Sequence, residues 1–345
     1  LTTVLEAEGG SPGAIVSEMT FLRDLGRNID SVRAARRQVF DAAGAKEVFP
    51  AITEIEQPPL KQEACLEILV HAILPKDATQ HSVPVKVDPA SHHGEYGCAH
   101  GVKLQLGSQA RFQAGNLYGT GDNAYEQTSA MFALAEQLLR GAGMAFSDVV
   151  RTWIHLRDME RDYGDFNRAR REFFQARGID PVPASTAIGG GPVPQGNDLS
   201  LAIYALKGDD ALVRTVMTSP TLNEAPEYGA DFVRGMRVEE ANKVSLLVSG
   251  TASVDEAGNT AHVDDFAAQA DRMLVNLSAL LAGQGADFGD VVAAITYVKR
   301  PADAACLQQK FQAAGFTGFP NVLVEADVCR PDLLCETELI AVTRT

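Results

Sequence analysis

Phe319-Pro320 … Leu334-Cys335-Glu336-Thr337-Glu338-Leu339-Ile340-Ala341 closes the chain, and the same pattern occurs twice upstream. One copy is Phe49-Pro50-Ala51 … Cys65-Leu66-Glu67-Ile68-Leu69-Val70-His71-Ala72, and the other is Val182-Pro183-Ala184 … Leu199-Ser200-Leu201-Ala202-Ile203-Tyr204-Ala205. An apolar strand ending in charge precedes each copy: Met19-Thr20-Phe21-Leu22-Arg23-Asp24, Trp153-Ile154-His155-Leu156-Arg157-Asp158 and Thr296-Tyr297-Val298-Lys299-Arg300. A helix is predicted after each strand, over Val32–Phe40, Phe166–Phe174 and Ala305–Phe311. A repeat of this kind decides the fold before any local reading does. Three diverged copies of one small module predict a pseudo-threefold body whose clefts need not be alike.

Working outward, modules two and three begin with strands at Ala110–Gly119 and Lys243–Ala252. Long amphipathic helices follow. Met131, Leu134, Leu138 and Leu139 share one face of the first, and Phe266, Ala270, Met273, Leu274, Leu277 and Leu281 share one face of the second. Each module is therefore α+β, in the order β-β-α-β-α-β, with helices covering one face of a mixed sheet. Residues 1–76 form a partial module lacking its first hairpin, because Leu1–Gly10 matches the end of a first helix. Either the chain has been shortened, as the missing initiator Met suggests, or module one is a half module. Residues 77–207 hold a linker and the second module, and 208–345 a linker and the third. Both linkers contain Glu-Tyr-Gly, at 95–97 and 227–229, which predicts a strand crossing at a module interface.

With 345 residues the chain can bury a sizeable core. Its formal charge of -15 argues against nucleic-acid and membrane-surface partners, so an anionic ligand would need locally gathered arginines. The five cysteines are scattered and odd in number, which reads as reduced thiols of a cytoplasmic protein. No apolar run is long enough to span a bilayer. His92-His93-Gly94-Glu95-Tyr96-Gly97-Cys98-Ala99-His100 has metal-ligand residue types but no standard zinc spacing, and no metal is expected. Gly189-Gly190-Gly191 lacks the Lys-Ser/Thr of a phosphate loop and is expected to be a turn bordering the cleft. Cys65 and Cys335 sit on matching strands and are expected in the core.

The order β-β-α-β-α-β with Phe-Pro and a late Glu-x-Glu strand resembles the Rid (YjgF/UK114) family, whose trimers place active sites between subunits. Rid deaminases carry an arginine two residues after the proline. Here those positions are Ile52, Ser185 and Val322, which speaks against ordinary imine deamination. Fused modules of this kind also resemble the chorismatases, through Arg330-Pro331-Asp332-Leu333-Leu334-Cys335-Glu336-Thr337-Glu338, Tyr228-Gly229 … Phe232-Val233-Arg234-Gly235, Arg151-Thr152-Trp153 and Gly178-Ile179-Asp180-Pro181. That resemblance implies removal of the enolpyruvyl group of chorismate, with Glu336 as the acid and no cofactor. It also ties the Cys329–Gly235 combination to the aromatising, 3-hydroxybenzoate-forming type.

Two carboxylates at i and i+2 on a strand face the same side. In a cleft, burial and like charge would raise one pKa and make a proton donor near neutrality. Glu336 and Glu338 form such a pair, whereas module one has Glu67 and Leu69 and module two Ser200 and Ala202. Glu67 marks either a second site or an interface. Arg151, Arg234 and Arg330, with Tyr228, are candidates to hold a small dianionic substrate, because guanidinium binds carboxylate bidentately. Three readings stay open: a chorismatase, a Rid-type deaminase or other small-acid hydrolase, and a non-catalytic metabolite-binding protein. The quaternary state is either a monomeric pseudo-trimer or a small homo-oligomer.

Overall fold

The computed structural model describes residues 2–45, 50–74, 101–224 and 231–344, and the backbone of 81–85. Phe49, the His92–His100 stretch, both Glu-Tyr-Gly segments and therefore Tyr228 lie outside the described residues.

After a short helix α1 (Thr2–Ala7), β1 (Ile15–Leu22) leads through α2 (Leu25–Ala42) to β2 (Ala51–Glu56) and β3 (Leu66–Ala72). β2 lies parallel and β3 antiparallel to β1, in the order β3-β1-β2. The second sheet comes from β4 (His81–Val85), β5 (Gly101–Leu106), β6 (Gln109–Leu117), β7 (Val149–Leu156) and β8 (Ala184–Gly189), then β9 (Gly191–Pro192), which leaves it, and β10 (Leu199–Lys207). Its order is β4-β5-β6-β10-β7-β8. The third contains β11 (Val213–Val216), β12 (Gly235–Glu240), β13 (Lys243–Ala252), β14 (Val291–Val298), β15 (Asn321–Glu325) and β16 (Cys335–Thr343). Its order, β11-β12-β13-β16-β14-β15, repeats the second strand for strand, and β3-β1-β2 repeats their last three. The mixed α+β fold read from the repeat is thus present. The linker that opens residues 208–345 is less of a linker than the sequence indicated, since it supplies β11 and β12.

Helices α3 (Ala124–Gly141) and α4 (Met159–Arg177) cover the second sheet, and α5 (Phe266–Ala282) and α6 (Ala304–Ala314) the third. All the apolar-face residues named above on α3 and α5 are buried. Each fully buried Leu, Met or Phe contributes roughly 1.5–3 kcal/mol relative to exposure. The helix starts are set by side chains: Asn123, Asp158 and Asp265 accept from the backbone N–H three residues on.

The sheets close a ring through their edges. β2 packs on β6, and β8 on β13. The loop after β2 pairs with β15, through Leu60 N to Leu323 O at 2.9 Å and Glu325 N to Pro58 O at 2.8 Å. The glycine run sits at the meeting point of all three sheets rather than at the cleft. Gly189 N donates to Asp327 O at 2.7 Å, Gln57 Nε2 donates to Gly189 O at 2.6 Å, and β9 pairs with β2. A Cβ on Gly189 would meet the Asp327 backbone oxygen at 2.9 Å, so close backbone approach requires glycine there. Cys335 is buried as expected, but Cys65 is exposed, because it stands in the turn before β3 rather than in the strand.

Candidate active site

The junction of β8 with β13 builds a cavity that gathers several of the sequence candidates. Ser185 N donates to Ser249 Oγ at 2.9 Å, and Ser249 Oγ donates to Val233 O at 2.5 Å. Opposite, the register of β13 against β16 slips between Val248 and Thr251. Such an irregularity re-aims side chains. Here it leaves Gly250 beneath Glu336, so that a Cβ on Gly250 would collide with Glu336 Oε1. The acid's carboxyl occupies space that only glycine leaves free.

Glu336 and Glu338 are both buried on one face of β16. Their fates differ. Glu338 is held at both oxygens, by Arg151 Nη2 at 2.7 Å and Trp153 Nε1 at 2.5 Å. Arg151 also donates to Thr186 Oγ1 at 2.5 Å and lies 5.0 Å from the Trp153 ring centre. Glu336 has no such clamp. Burial, and then the charge of Glu338, push its carboxyl up to about 8, against the smaller pull of Arg151 and Arg234. It is therefore protonated near neutral pH and able to donate.

Glu336 faces a cavity of about 140 Å³, shared with Cys329, Arg330, Arg234, Phe232 and, from α4, Arg170. Arg234 is anchored by Nε to Asn223 O at 2.8 Å and Nη2 to Asn223 Oδ1 at 3.0 Å. Arg330 is braced by Gly258 O at 2.7 Å. Burial pushes the Cys329 thiol up to about 12, with Glu336 adding to the effect, so it stands as a neutral thiol.

Of the sequence candidates, Glu336, Cys329, Arg234 and Arg330 line the cavity together. Arg151 does not line it; it backs Glu338. Gly235 does not line it either: the side chain it lacks would point at Met217 Sδ, 2.8 Å away. Glu67 lies at the junction with β15, where its Oε2 accepts from Leu323 N at 3.2 Å, so it belongs to an interface. The sequence reading missed Arg170, which is buried with Nη2 donating to Asn167 Oδ1 at 2.7 Å. Tyr163, Asn167 and Arg170 recur at helical spacing along one side of α4, and all three reach the cavity. That polar stripe was the available signal. Among the described residues no group of His, Cys, Asp and Glu could hold a metal ion, and no helix is long and apolar enough to cross a membrane.

Comparison with known proteins fits this geometry. A protein named 3-hydroxybenzoate synthase, from Streptomyces hygroscopicus, is 29% identical over 277 residues, covering 73% of this chain and 78% of its own. A protein named chorismatase, from Streptomyces rapamycinicus, is 25% identical over 256 residues, covering 66% of this chain and 72% of its own. A chorismatase crystal structure overlays with a TM-score of 0.66 over 95% of this chain and 93% of its own, at 18% identity, which speaks to the fold. These relatives place the chain among enzymes of the chorismatase type. The family described as endoribonuclease L-PSP matches residues 105–207 and 223–343, more than half of the sequence. The chain belongs to that family, the Rid family indicated by its repeated Pro segments and its late Glu-x-Glu strand.

Proposed function

We propose that this enzyme removes the enolpyruvyl group of chorismate as pyruvate and yields 3-hydroxybenzoate. The observation that carries the reading is Glu336, a buried carboxyl raised to about 8, facing a cavity that also holds Arg170, Arg234 and Arg330. Chorismate is a dianion with an enol ether, so it asks for guanidinium groups and one acid. Glu336 delivers its proton to the terminal methylene carbon of the enolpyruvyl group. The C=C electrons form the new C–H bond, and positive charge develops on the ether-bearing carbon and its oxygen. The carboxylate left on Glu336 and the Glu338 carboxylate, fixed by Arg151 and Trp153, are preorganised to stabilise it. The ring C–O bond of the ether then breaks with its electron pair on the oxygen, which leaves as the keto oxygen of pyruvate; the neighbouring ring hydroxyl oxygen moves to the vacated carbon, and loss of one ring proton aromatises the ring.

The fate of the ring separates two products by their atoms. 3-Hydroxybenzoate and pyruvate together contain the atoms of chorismate, with no net water, whereas a dihydroxylated diene product takes up one water. The place of Cys329 beside Glu336 and the name of the Streptomyces hygroscopicus relative support the aromatic outcome. Incubation with chorismate, followed by detection of pyruvate and separation of ring products, tests it. Absence of pyruvate would overturn the reading.

Two variants probe the site further. Gly250→Ala places a methyl where the Glu336 carboxyl sits, so the acid must shift. Turnover is expected to fall by about 100-fold with the fold retained, read by steady-state kinetics beside a thermal melt. Arg234→Lys removes the planar fork that Asn223 orients. KM for chorismate is expected to rise by about tenfold, the equivalent of a weakened charged hydrogen bond. An unchanged KM would take Arg234 out of substrate binding.

A further inference from the structure

The ring has three junctions between sheets, yet the cavity above lies at one of them. The junction of the first and second sheets contains the same elements. Leu22-Arg23-Asp24 ends β1 as Leu156-Arg157-Asp158 ends β7, so α2 and β2 correspond to α4 and β8. Counting from these ends, Arg33 takes the place of Asn167 and Arg36 that of Arg170. β2 runs beside β1 with Leu22 opposite Glu56, and β8 beside β7 with Leu156 opposite Gly189. Glu54 therefore stands where Ala187 lines the open cavity. Across the junction, Asn116 precedes the Leu117–Leu201 pair as Gly250 precedes the Thr251–Thr337 pair.

What fills this second cleft is a carboxylate in a built receptor. Glu54 is 2% exposed. Arg33 Nη2 reaches its Oε2 at 2.7 Å, Arg33 Nε reaches both oxygens at 3.1 and 3.2 Å, and Arg36 Nη1 reaches Oε1 at 2.9 Å. Asn116 Nδ2 lies 3.4 Å from Oε2. Arg36 is itself oriented by Glu18 at 2.6 Å. Burial alone would raise the Glu54 carboxyl, but Arg33 and Arg36 hold it below its ordinary range. The forked donation from Arg33 Nε and Nη2 is the arrangement guanidinium groups use for a bound ligand carboxylate.

We propose that the cleft between the first and second sheets is a carboxylate-binding site that the chain occupies with its own Glu54, Arg33 and Arg36 being the receptor. The ligand it would take in place of Glu54 is a small monocarboxylate of acetate or propionate size. Among the described residues the other two junctions are thus closed: this cleft is filled by Glu54, and the junction of the third sheet with the first is bridged by the Pro58–Leu60 backbone on β15.

Glu54→Ala tests this without any substrate of the enzyme, so the outcome is independent of whether chorismate is turned over. Losing one partner of a buried ion pair should lower Tm by roughly 10 °C. Acetate, against sodium chloride at equal ionic strength, should then raise the variant's Tm with the logarithm of its concentration, by about 2–4 °C at roughly ten times its dissociation constant, with no such rise in the wild type. Adding Arg36→Met to Glu54→Ala should abolish the rescue. If Glu54→Ala does not fold alone, the same pair of salts is compared for recovery of folded protein on refolding. Equal effects of acetate and chloride in the variant, or a rescue that survives loss of Arg36, would overturn the proposal and leave an ordinary structural ion pair.

Discussion

Glu336→Gln is expected to fold and bind chorismate while turning it over about 100- to 10,000-fold more slowly, the usual cost of losing a positioned general acid. Glutamine keeps the size of the side chain and can fill the same seat above Gly250, so binding survives. It has no proton to give. The control is Glu67→Gln, at the matching position of the first sheet, where the carboxylate caps the Leu323 N–H at an interface. That change should leave turnover within about twofold, since it removes one hydrogen bond far from the cavity. Wild-type turnover by Glu336→Gln would remove the acid role.

The same residue fixes two pH dependences. As an acid raised to about 8, Glu336 donates below that pH, so kcat/KM should fall as pH rises through about 8. Stability follows the same group. Between the ordinary glutamate range and about 8 the folded chain holds this proton and the unfolded chain does not, so folding stability contributed by Glu336 falls as pH rises across that window. Glu336→Gln should flatten that stretch of the Tm–pH curve. Equal slopes in both proteins would argue against a buried neutral acid.

Much of the fold was legible because the module repeats. Strand orders, helix faces and the apolar closing strand each recur, and recurrence filters out local ambiguity. Glu336 stood out because β16 carries two acids where β10 carries Ser200 and Ala202. What stayed hidden depended on neighbours remote in sequence. Arg151 reads like one more anion clamp until Glu338 is seen 2.7 Å away, 187 residues later. The resemblance tied Gly235 to the product, yet its missing side chain faces Met217, which no spacing could reveal. Arg170 looked like one charge among many on α4, because the rings around it include Phe232 from the next module as well as Phe166 of its own helix. Cys65 was misplaced because a one-residue shift at a strand end separates core from solvent.

Arg151→Met is expected to be the most destabilising single change at the site. The pair it breaks is dry on both sides, with side chains 3% and 6% exposed. Removing one partner strands the Glu338 charge in the interior, which typically costs about 3–5 kcal/mol and here roughly 10 °C in Tm. The cost should come from the stranded charge rather than from the lost contact, because desolvation has already offset most of the attraction within such a pair. The double change Arg151→Met with Glu338→Leu should therefore recover most of the Tm while activity stays low, since the negative charge behind Glu336 is gone. In Arg151→Met alone, the larger of the two charges that pull the Glu336 carboxyl down is gone and the like charge of Glu338 remains. The basic limb of kcat/KM should then move to higher pH. A double variant no more stable than the single one would show that Arg151 acts through Thr186 and the Trp153 ring instead, as packing between the second and third sheets.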